Sequence, residues 1–426
     1  MLIGLIFAAL VVMICLNVPI AVALAIAAIL GLVATEGMGS LVSVALDMYD
    51  GSTKFALIAI PMFVLAGAIM NAGGVTDRLI NFVTAVIGFV RGGLAMVNIG
   101  VSLFFAEISG SAVADVAALG SVLIPQMKKR GYSAPLSAAV TSSSASLAII
   151  IPPSIPMILY ASSANTSVEQ LFVAGIVPGL LGAAGLMFVA YMFAVKYNLP
   201  VEEAFNTKRL RETFIDALPA FTLPVIILGG IFGGFVTATE AAGLAVIAAI
   251  LVGLWYGEVN LKQLKRAMLD GGMQTAVVMV LVAASVVMGG FLTRAQLPQE
   301  LASGLLSITT NKWLILLILN FFFLVIGFFL HSAAAIILVV PIVIPLISAV
   351  GIDPVHFGLV VTLNLAIGQQ TPPVASVLIT SCAVARANIW DVSKVNVYFV
   401  AVLLTVLILC TYVPSVPMFL VDHFYR

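Results

Sequence analysis

Two stretches of the sequence place hydroxyl and amide side chains just before a pair of prolines. The run 141–146 (Thr-Ser-Ser-Ser-Ala-Ser) precedes Pro152-Pro153, and the stretch 364–371, which contains Asn, Gln and Thr, precedes Pro372-Pro373. Proline has no backbone N–H group and interrupts a helix, so nearby carbonyl oxygens lose their partners. These groups are neutral oxygen ligands that suit a hard monovalent cation, whereas Ca²⁺ prefers clustered carboxylates. We therefore expect each stretch to contribute to a Na⁺ site.

Two long apolar runs lie just before these stretches. Residues 93–127 and 312–350 would each exceed about 50 Å as straight helices at about 1.5 Å per residue, which is too long for one crossing. Small or polar residues interrupt both runs, at 109–111 (Ser-Gly-Ser) and at 327–332 (Gly-Phe-Phe-Leu-His-Ser). The sequence therefore predicts two re-entrant helical hairpins, over about 93–130 and about 312–350.

Each hairpin tip is expected to meet the proline-broken helix that follows it, over 134–162 or over 355–384. Irregular backbone at membrane depth is tolerated only where protein or a wet cavity satisfies its polar groups, so both tips should face an internal site. A lone broken span is more often a simple kink, but two related copies favour ion sites. The predicted Na⁺ ligands are Ser109, Gly110, Ser111, Ser144, Ser146, Ala148, Pro152, Gly327, His331, Ser332, Gly368, Gln369 and Thr371.

An anionic substrate group is expected near the same breaks. Half-helices that begin there point free N–H groups inward, and these favour negative charge. The string 235–242 adds two threonines and an acid, although its simpler interpretation is a helix start with Thr239 as N-cap. The predicted substrate contacts are Ser142, Ser143, Ser154, Asn364, Gln370, Thr237, Thr239 and Glu240.

The composition indicates a membrane protein. Hydrophobic residues make up 62% of the 426 positions, charged residues make up 8%, and the mean hydropathy is +1.23. Eighteen Lys and Arg balance eighteen Asp and Glu, so the chain has no net basic charge for nucleic acid. The three cysteines, Cys15, Cys382 and Cys410, lie within apolar runs, which predicts buried thiols rather than a disulfide or a zinc site.

Lys and Arg predict the orientation. With ten crossings, two hairpins and both termini outside, fourteen of the eighteen Lys and Arg residues lie on one side. This bias towards the cytoplasm appears only if both long runs are hairpins that open to opposite faces. The predicted crossings are 1–16, 19–34, 54–72, 134–162, 171–195, 217–235, 238–256, 272–293, 355–384 and 396–418.

The two halves of the chain contain the same proline pairs at one fixed separation. Ile124-Pro125 and Pro152-Pro153 recur 220 residues later, as Ile344-Pro345 and Pro372-Pro373. The predicted fold is an all-α polytopic membrane protein with an inverted repeat, an arrangement typical of secondary transporters. Its parts are a first repeat over 1–200, a cytoplasmic linker over 201–216 and a second repeat over 217–426.

An enzyme or a channel fits the sequence poorly. An intramembrane hydrolase would need a base near the serines, but the mid-membrane histidine, His331, belongs to the opposite repeat. A channel would need a ring of like charges or a filter-like string, and neither is visible.

Several short strings are spread over essentially the whole chain. They are Leu-Asn-Val-Pro-Ile at 16–20, Ala-Ile-Pro-Met-Phe at 59–63, Leu-Ala-Gly at 65–67, Gly-Tyr at 131–132, Ile-Ile-Pro-Pro-Ser-Ile-Pro-Met at 150–157, Phe-Val-Thr-Ala-Thr-Glu-Ala-Ala at 235–242 and Thr-Pro-Pro-Val at 371–374. Together these strings resemble the large membrane subunit of tripartite ATP-independent periplasmic (TRAP) transporters.

This resemblance implies a bacterial inner-membrane transporter driven by a Na⁺ gradient, with no organic cofactor. It also implies two partners, a small four-helix membrane subunit and a periplasmic substrate-binding protein, together with an elevator-like movement. Family cargoes are carboxylates such as C4-dicarboxylates, 2-keto acids, sugar acids and sialic acids. The alternative is a stand-alone Na⁺/carboxylate or Na⁺/H⁺ carrier of similar build.

The chain departs from the family pattern at two of the predicted ligand positions. A Gly-Pro pair commonly occupies the place of Ala148-Ile149, and an acidic residue commonly lies near His331.

Overall fold

The protein is an all-helical membrane protein. Its computed structural model describes residues 2–16 and 18–425, apart from the side chains at 2, 3, 11, 15 and 107–109, and all regular structure in this part is helical. Seven described helices are long and apolar enough to cross a membrane, or up to eight if one bent pair is a single span. The predicted fold class is confirmed. The count of ten crossings, the re-entry of the hairpins and the sidedness stay predictions; Met1 and Arg426 lie outside the described residues.

The first half contains a group of N-terminal helices, a hairpin and a broken helix, in that order. The hairpin turns at Gly110 between α6 and α7, and the broken helix is α8 followed by α9. The helices are α1 Leu2–Cys15, α2 Ile20–Glu36, α3 Leu41–Ser52, α4 Ala59–Ala72, α5 Val75–Ile87, α6 Gly93–Ser109, α7 Ala112–Lys129, α8 Ala134–Ala145, α9 Ile155–Ala164 and α10 Val168–Lys196.

The second half repeats this order, with a hairpin of α17 and α18 and a broken helix of α19 and α20. The helices are α11 Thr207–Ala217, α12 Thr222–Pro224, α13 Gly230–Phe232, α14 Ala238–Trp255, α15 Leu261–Arg294, α16 Leu297–Ile308, α17 Lys312–Phe329, α18 Ser332–Ala349, α19 Pro354–Gly368, α20 Ser376–Ala385, α21 Ile389–Tyr412 and α22 Ser415–Tyr425.

Three predicted crossings differ from the observed helices. The span 217–235 is a broken segment with a π-helix at Val225–Gly229, bent by 56° from α11, because Pro219 and Pro224 interrupt it. The span 272–293 is only part of α15, whose 34 residues begin after Asn260. The span 396–418 ends early at Tyr412, and Pro414 separates it from α22.

The segment predicted as a linker contains α11 and ties several elements together. Its Glu202 forms an ion pair with Arg130 at 3.3 Å, and the Glu202 N–H donates to the Gly88 carbonyl at 3.1 Å. At its other end, Asp216 lies 3.5 Å from the Arg78 guanidinium. The segment therefore joins the base of the first hairpin to α5.

The two halves interlock through their hairpins and broken helices. In the first half, α7 packs against α8 and also against α20 of the other half. In the second half, α18 packs against α19 and also against α9. The hairpin and broken helix of each half therefore contact those of the other half, while the bounds of the two repeats stay predictions. A separate group of helices, α2, α3, α4, α14 and α15, forms the scaffold beside it.

Polar side chains cap the N-termini of the helices on either side of the breaks. Ser133 accepts from the Leu136 N–H, and Ser154 accepts from the Met157 N–H at the start of α9. Asp353 likewise accepts from the N–H groups of Val355 and His356. These caps satisfy N–H groups that a helix start otherwise leaves without partners.

One glycine lets α10 approach the first break closely. A Cβ atom at Gly175 would lie 2.2 Å from the Ile150 carbonyl oxygen and 2.8 Å from the Met157 side chain. Because backbone cannot move aside as a flexible side chain can, this contact requires glycine.

We expect Gly175→Ala to lower the free energy of unfolding by about 1–3 kcal/mol, the usual cost of overpacking. Gly243→Ala is the matched control, since a Cβ there meets nothing within 4 Å, and it should be neutral or stabilise by up to about 1 kcal/mol. Thermal unfolding of the two purified variants measures the difference. Equal melting temperatures would contradict the close approach.

Candidate ion and substrate site

Both hairpin tips and both helix breaks line one small cavity. Its volume is about 50 Å³, which leaves room for an ion or a few waters and is far below the usual size of a small-molecule pocket. The sequence predicted two separate tip-and-break pairs, and the structure brings the two pairs together. The lining residues are Gly110, Ser111, Ala112, Ile149, Ile155, Pro156, Val278, His331, Ser332, Ala333 and Gln369.

The first tip meets the proline end of the first break. The chain turns at Gly110, where φ is +58°, and a Cβ there would lie 2.9 Å from the Pro153 carbonyl oxygen. Ser111 and Ile155 lie on the cavity wall beside it. The expectation that this tip meets its broken helix is therefore observed at the proline end only, because side chains of the run 141–146 contact the α6 arm of the hairpin and α21 instead. The predicted ligand Ser109 has its side chain outside the described residues.

The second tip meets the second break in the same manner. Gly327 and Gly368 touch, since a Cβ on Gly368 would lie 2.6 Å from the Gly327 backbone. The Val374 N–H donates to the Phe328 carbonyl at 3.3 Å. His331 and Ser332 then face the cavity together with Gln369. The prediction that this tip meets this break is thus observed, while the role of these residues as Na⁺ ligands stays a prediction.

Part of the serine-rich run faces α6, where sequence reasoning missed a partner. The Asn98 amide donates to Thr141 Oγ1 at 2.7 Å and accepts from the Ser144 hydroxyl at 3.1 Å. Ser102 donates to Ser144 at 2.9 Å. An asparagine in a mostly apolar helix was the signal that could have identified Asn98.

The second half contains a comparable network, built around two asparagines. The Asn364 amide donates to Asn320 Oδ1 at 2.7 Å, and the Asn320 amide donates to Thr411 Oγ1 at 3.1 Å. Asn364 therefore contacts the middle of α17, and the expectation that it meets the tip is wrong. Its own Oδ1 is buried and has no hydrogen-bond partner among the described residues.

The other predicted residues of the two breaks have varied surroundings. Thr371 donates to the Ile367 carbonyl of the preceding helix α19, and Ser154 donates to the Ile149 carbonyl at 2.7 Å. The Ser142 hydroxyl is buried with no partner in the described part of the chain. Ala148 and Pro152 are buried near the cavity without lining it. Ser143, Ser146 and Gln370 form contacts between the two halves, described below.

The string 235–242 lies apart from the cavity. Thr237, not Thr239, is the N-cap of α14, and it forms a capping box with Glu240. The Glu240 carboxylate accepts from the Thr237 N–H at 2.8 Å and from its hydroxyl at 2.9 Å. Thr237 and Glu240 line a different pocket, of about 300 Å³, together with Glu169 and Tyr425. The structure does not bring the three predicted substrate contacts of this string to the tips.

The two thiols that the structure describes are buried, as predicted. Cys382 and Cys410 are free and buried, and both lie within helices of the second half. The side chain of Cys15 lies outside the described residues.

Comparison with known proteins identifies relatives of this chain. Residues 7–416 match the family model described as tripartite ATP-independent periplasmic transporter, DctM component. The isethionate TRAP transporter permease protein DctMQ of Oleidesulfovibrio alaskensis is 39% identical over 95% of this chain and 64% of its own length. This chain thus spans less than two thirds of that relative.

Two further proteins cover most of the chain. The C4-dicarboxylate TRAP transporter large permease protein DctM of Pseudomonas aeruginosa is 36% identical over 88% of each chain. The crystal structure of the Alcanivorax borkumensis YdaH transporter, reported to have an unusual topology, aligns with a TM-score of 0.65 at 15% identity and covers 89% of each chain.

The likeness to the crystal structure concerns the fold alone. The match of the family model and the identity to the two permeases concern nearly the whole sequence. The chain therefore belongs to the DctM family, the large membrane component of tripartite ATP-independent periplasmic transporters.

Proposed function

We propose that this protein takes up an organic anion by Na⁺-coupled secondary transport and receives its cargo from a periplasmic binding protein. The observation that carries the proposal is the single cavity at which both hairpin tips meet both helix breaks. The bacterial inner membrane is its proposed location, and a small four-helix membrane subunit is its proposed partner. The longer DctMQ relative supports the latter, because about a third of its length lies outside the match.

Three helix starts at the cavity support an anionic cargo. α7 begins at Ala112, α18 at Ser332 and α9 at Ile155, and each of these residues lines the cavity. The N-terminus of a helix carries a partial positive charge of about +0.5, so three of them favour one acidic group. The names of the relatives, isethionate and C4-dicarboxylate, point to a sulfonate or a carboxylate as this group.

Neutral oxygens on the two broken helices support Na⁺. Ser142 Oγ, Asn364 Oδ1 and Gln370 Oε1 are buried oxygen atoms without hydrogen-bond partners among the described residues. Unsatisfied buried acceptors are costly, and a monovalent cation relieves that cost without the carboxylates that Ca²⁺ requires. Ser111, Gln369 and the backbone of the two breaks are the proposed ligands nearest the cavity.

The small volume of the cavity fits a closed state. A cavity of about 50 Å³ is too small for a whole cargo molecule, so the tips must part from the breaks to admit it. The interlocked hairpins and broken helices would then move together against the scaffold of α2, α3, α4, α14 and α15, which is the proposed elevator movement.

Reconstituted uptake tests this function. We expect radiolabelled C4-dicarboxylate or isethionate to enter proteoliposomes only when the membrane partner, the cognate binding protein and an inward Na⁺ gradient are all present. Cargo entry through this chain alone would instead support a stand-alone carrier. Uptake that persists after choline replaces Na⁺ would reject Na⁺ coupling.

We expect Ser111→Leu to abolish Na⁺-stimulated uptake and leave membrane insertion intact, because the larger side chain fills the cavity at the first tip. Ser121→Leu is the matched control on the same helix, since Ser121 is exposed and donates only to the Ala118 carbonyl. Uptake assays and membrane fractionation of both variants provide the comparison. Wild-type Na⁺ dependence in Ser111→Leu would place the site elsewhere.

A negative charge in the cavity should repel an anionic cargo. Ser332→Asp places an acid in the first turn of α18, where the helix dipole favours it, and we expect it to raise the KM for cargo by roughly tenfold or more, about 1.4 kcal/mol. In Ser332→Asn the new side chain has the shape of aspartate without its charge, and the KM for cargo should stay within a few-fold of the wild-type value. A KM for Ser332→Asp equal to that of Ser332→Asn would argue against an anion in this cavity.

A further inference from the structure

Four buried residues form a closed ring of hydrogen bonds between the two halves. The Ser146 hydroxyl donates to the Ser143 carbonyl at 2.7 Å, and Ser146 Oγ accepts from Gln370 Nε2 at 2.6 Å. The Asn396 amide donates to the Gln370 carbonyl at 3.1 Å, and Asn396 Oδ1 accepts from the Ser143 hydroxyl at 2.8 Å. We call this set the inter-repeat ring.

The inter-repeat ring joins the two points at which the broken helices unwind. Ser146 is the first residue of the 3₁₀ turn that follows α8, and Gln370 lies in the turn that follows α19. Asn396 lies on α21, which packs directly against α8. The first break therefore touches the second through side chains as well as through packed helices.

Burial makes these bonds strong and directional. All four side chains are at most 2% exposed, and hydrogen bonds in a low-dielectric interior are stronger than bonds in water. A buried group that loses its partner bears the full desolvation cost, so moving one member favours movement of the others. The ring thus behaves as one unit that a shift of either break disturbs.

We propose that the inter-repeat ring couples the two ion sites, and that Asn396 is its positioning residue. This inference rests on the proposed function, since it requires a Na⁺ site at each break. Ser146 belongs to the first predicted site, and Gln370 adjoins Gln369 and Thr371 of the second. Na⁺ at one break fixes the backbone that holds the ring, and Asn396 transmits that arrangement to the other break. Neither half then binds its ion independently.

A Na⁺ titration of the purified transporter measures this coupling. Thermal stabilisation of the wild type should follow Na⁺ with a Hill coefficient clearly above 1 and at most about 2, the limit for two sites. Asn396→Leu removes both bonds of the amide, and we expect the Hill coefficient to fall to about 1 while the protein still inserts and still responds to Na⁺. Coupling energies between sites usually change affinity about 5- to 150-fold, so the change is measurable.

Three further variants separate coupling from simple loss of structure. Ser143→Ala removes only the bond to Asn396, and it should lower the Hill coefficient in the same way even if Asn396→Leu fails to fold. The double variant Ser143→Ala/Asn396→Leu should lower the Hill coefficient no further than Asn396→Leu alone, because both substitutions remove the same Ser143–Asn396 bond. Thr405→Val on α21 is the control: Thr405 is exposed and donates only to the Ala401 carbonyl, so the Hill coefficient should stay at the wild-type value.

The outcomes distinguish the two proposals. A wild-type transporter with no response to Na⁺ would overturn the proposed function itself. A wild type that Na⁺ stabilises with a Hill coefficient of about 1 would overturn the coupling alone, as would an unchanged coefficient in both Ser143→Ala and Asn396→Leu.

Discussion

The whole structure depends on how the backbone N–H and C=O groups at two helix breaks find partners inside an apolar protein. Lipid offers no partner for a free N–H or C=O group, so the Pro152-Pro153 and Pro372-Pro373 breaks can exist only where protein surrounds them. The hairpin tips provide that surrounding: Gly110 lies against Pro153, and Phe328 accepts from Val374. The same contacts bring three helix starts and several neutral oxygens to one place. The fold and the proposed binding chemistry therefore have a common cause.

Glycine and buried amides position these parts. Gly327 against Gly368, and Gly175 against the Ile150 carbonyl, permit approaches that any side chain would prevent. Asn98, Asn320 and Asn396 then fix the neighbouring helices through bonds of 2.7–3.1 Å. Glycines thus set the distance between elements, and amides set their register.

The sequence predicted the elements well and their mutual contacts poorly. Long runs, proline pairs and Ser-Gly-Ser are local signals, so the hairpins and broken helices could be located from them. The partners of Thr141, Ser143 and Asn364 could not, because they lie on distant helices whose rotation no local pattern fixes. Thr237 and Thr239 are both good N-caps, and only the backbone decides between them. The meeting of both tips at one cavity depends on the tertiary fold.

The most direct test of this account is a density map of the complete transporter with Na⁺ and cargo bound. We expect the acidic group of the cargo to lie against the first turns of α7, α9 and α18, with density for Na⁺ at the breaks beside Ser111 and Gln369. An acidic group resolved away from both tips, or a tip traced as one uninterrupted helix, would contradict it.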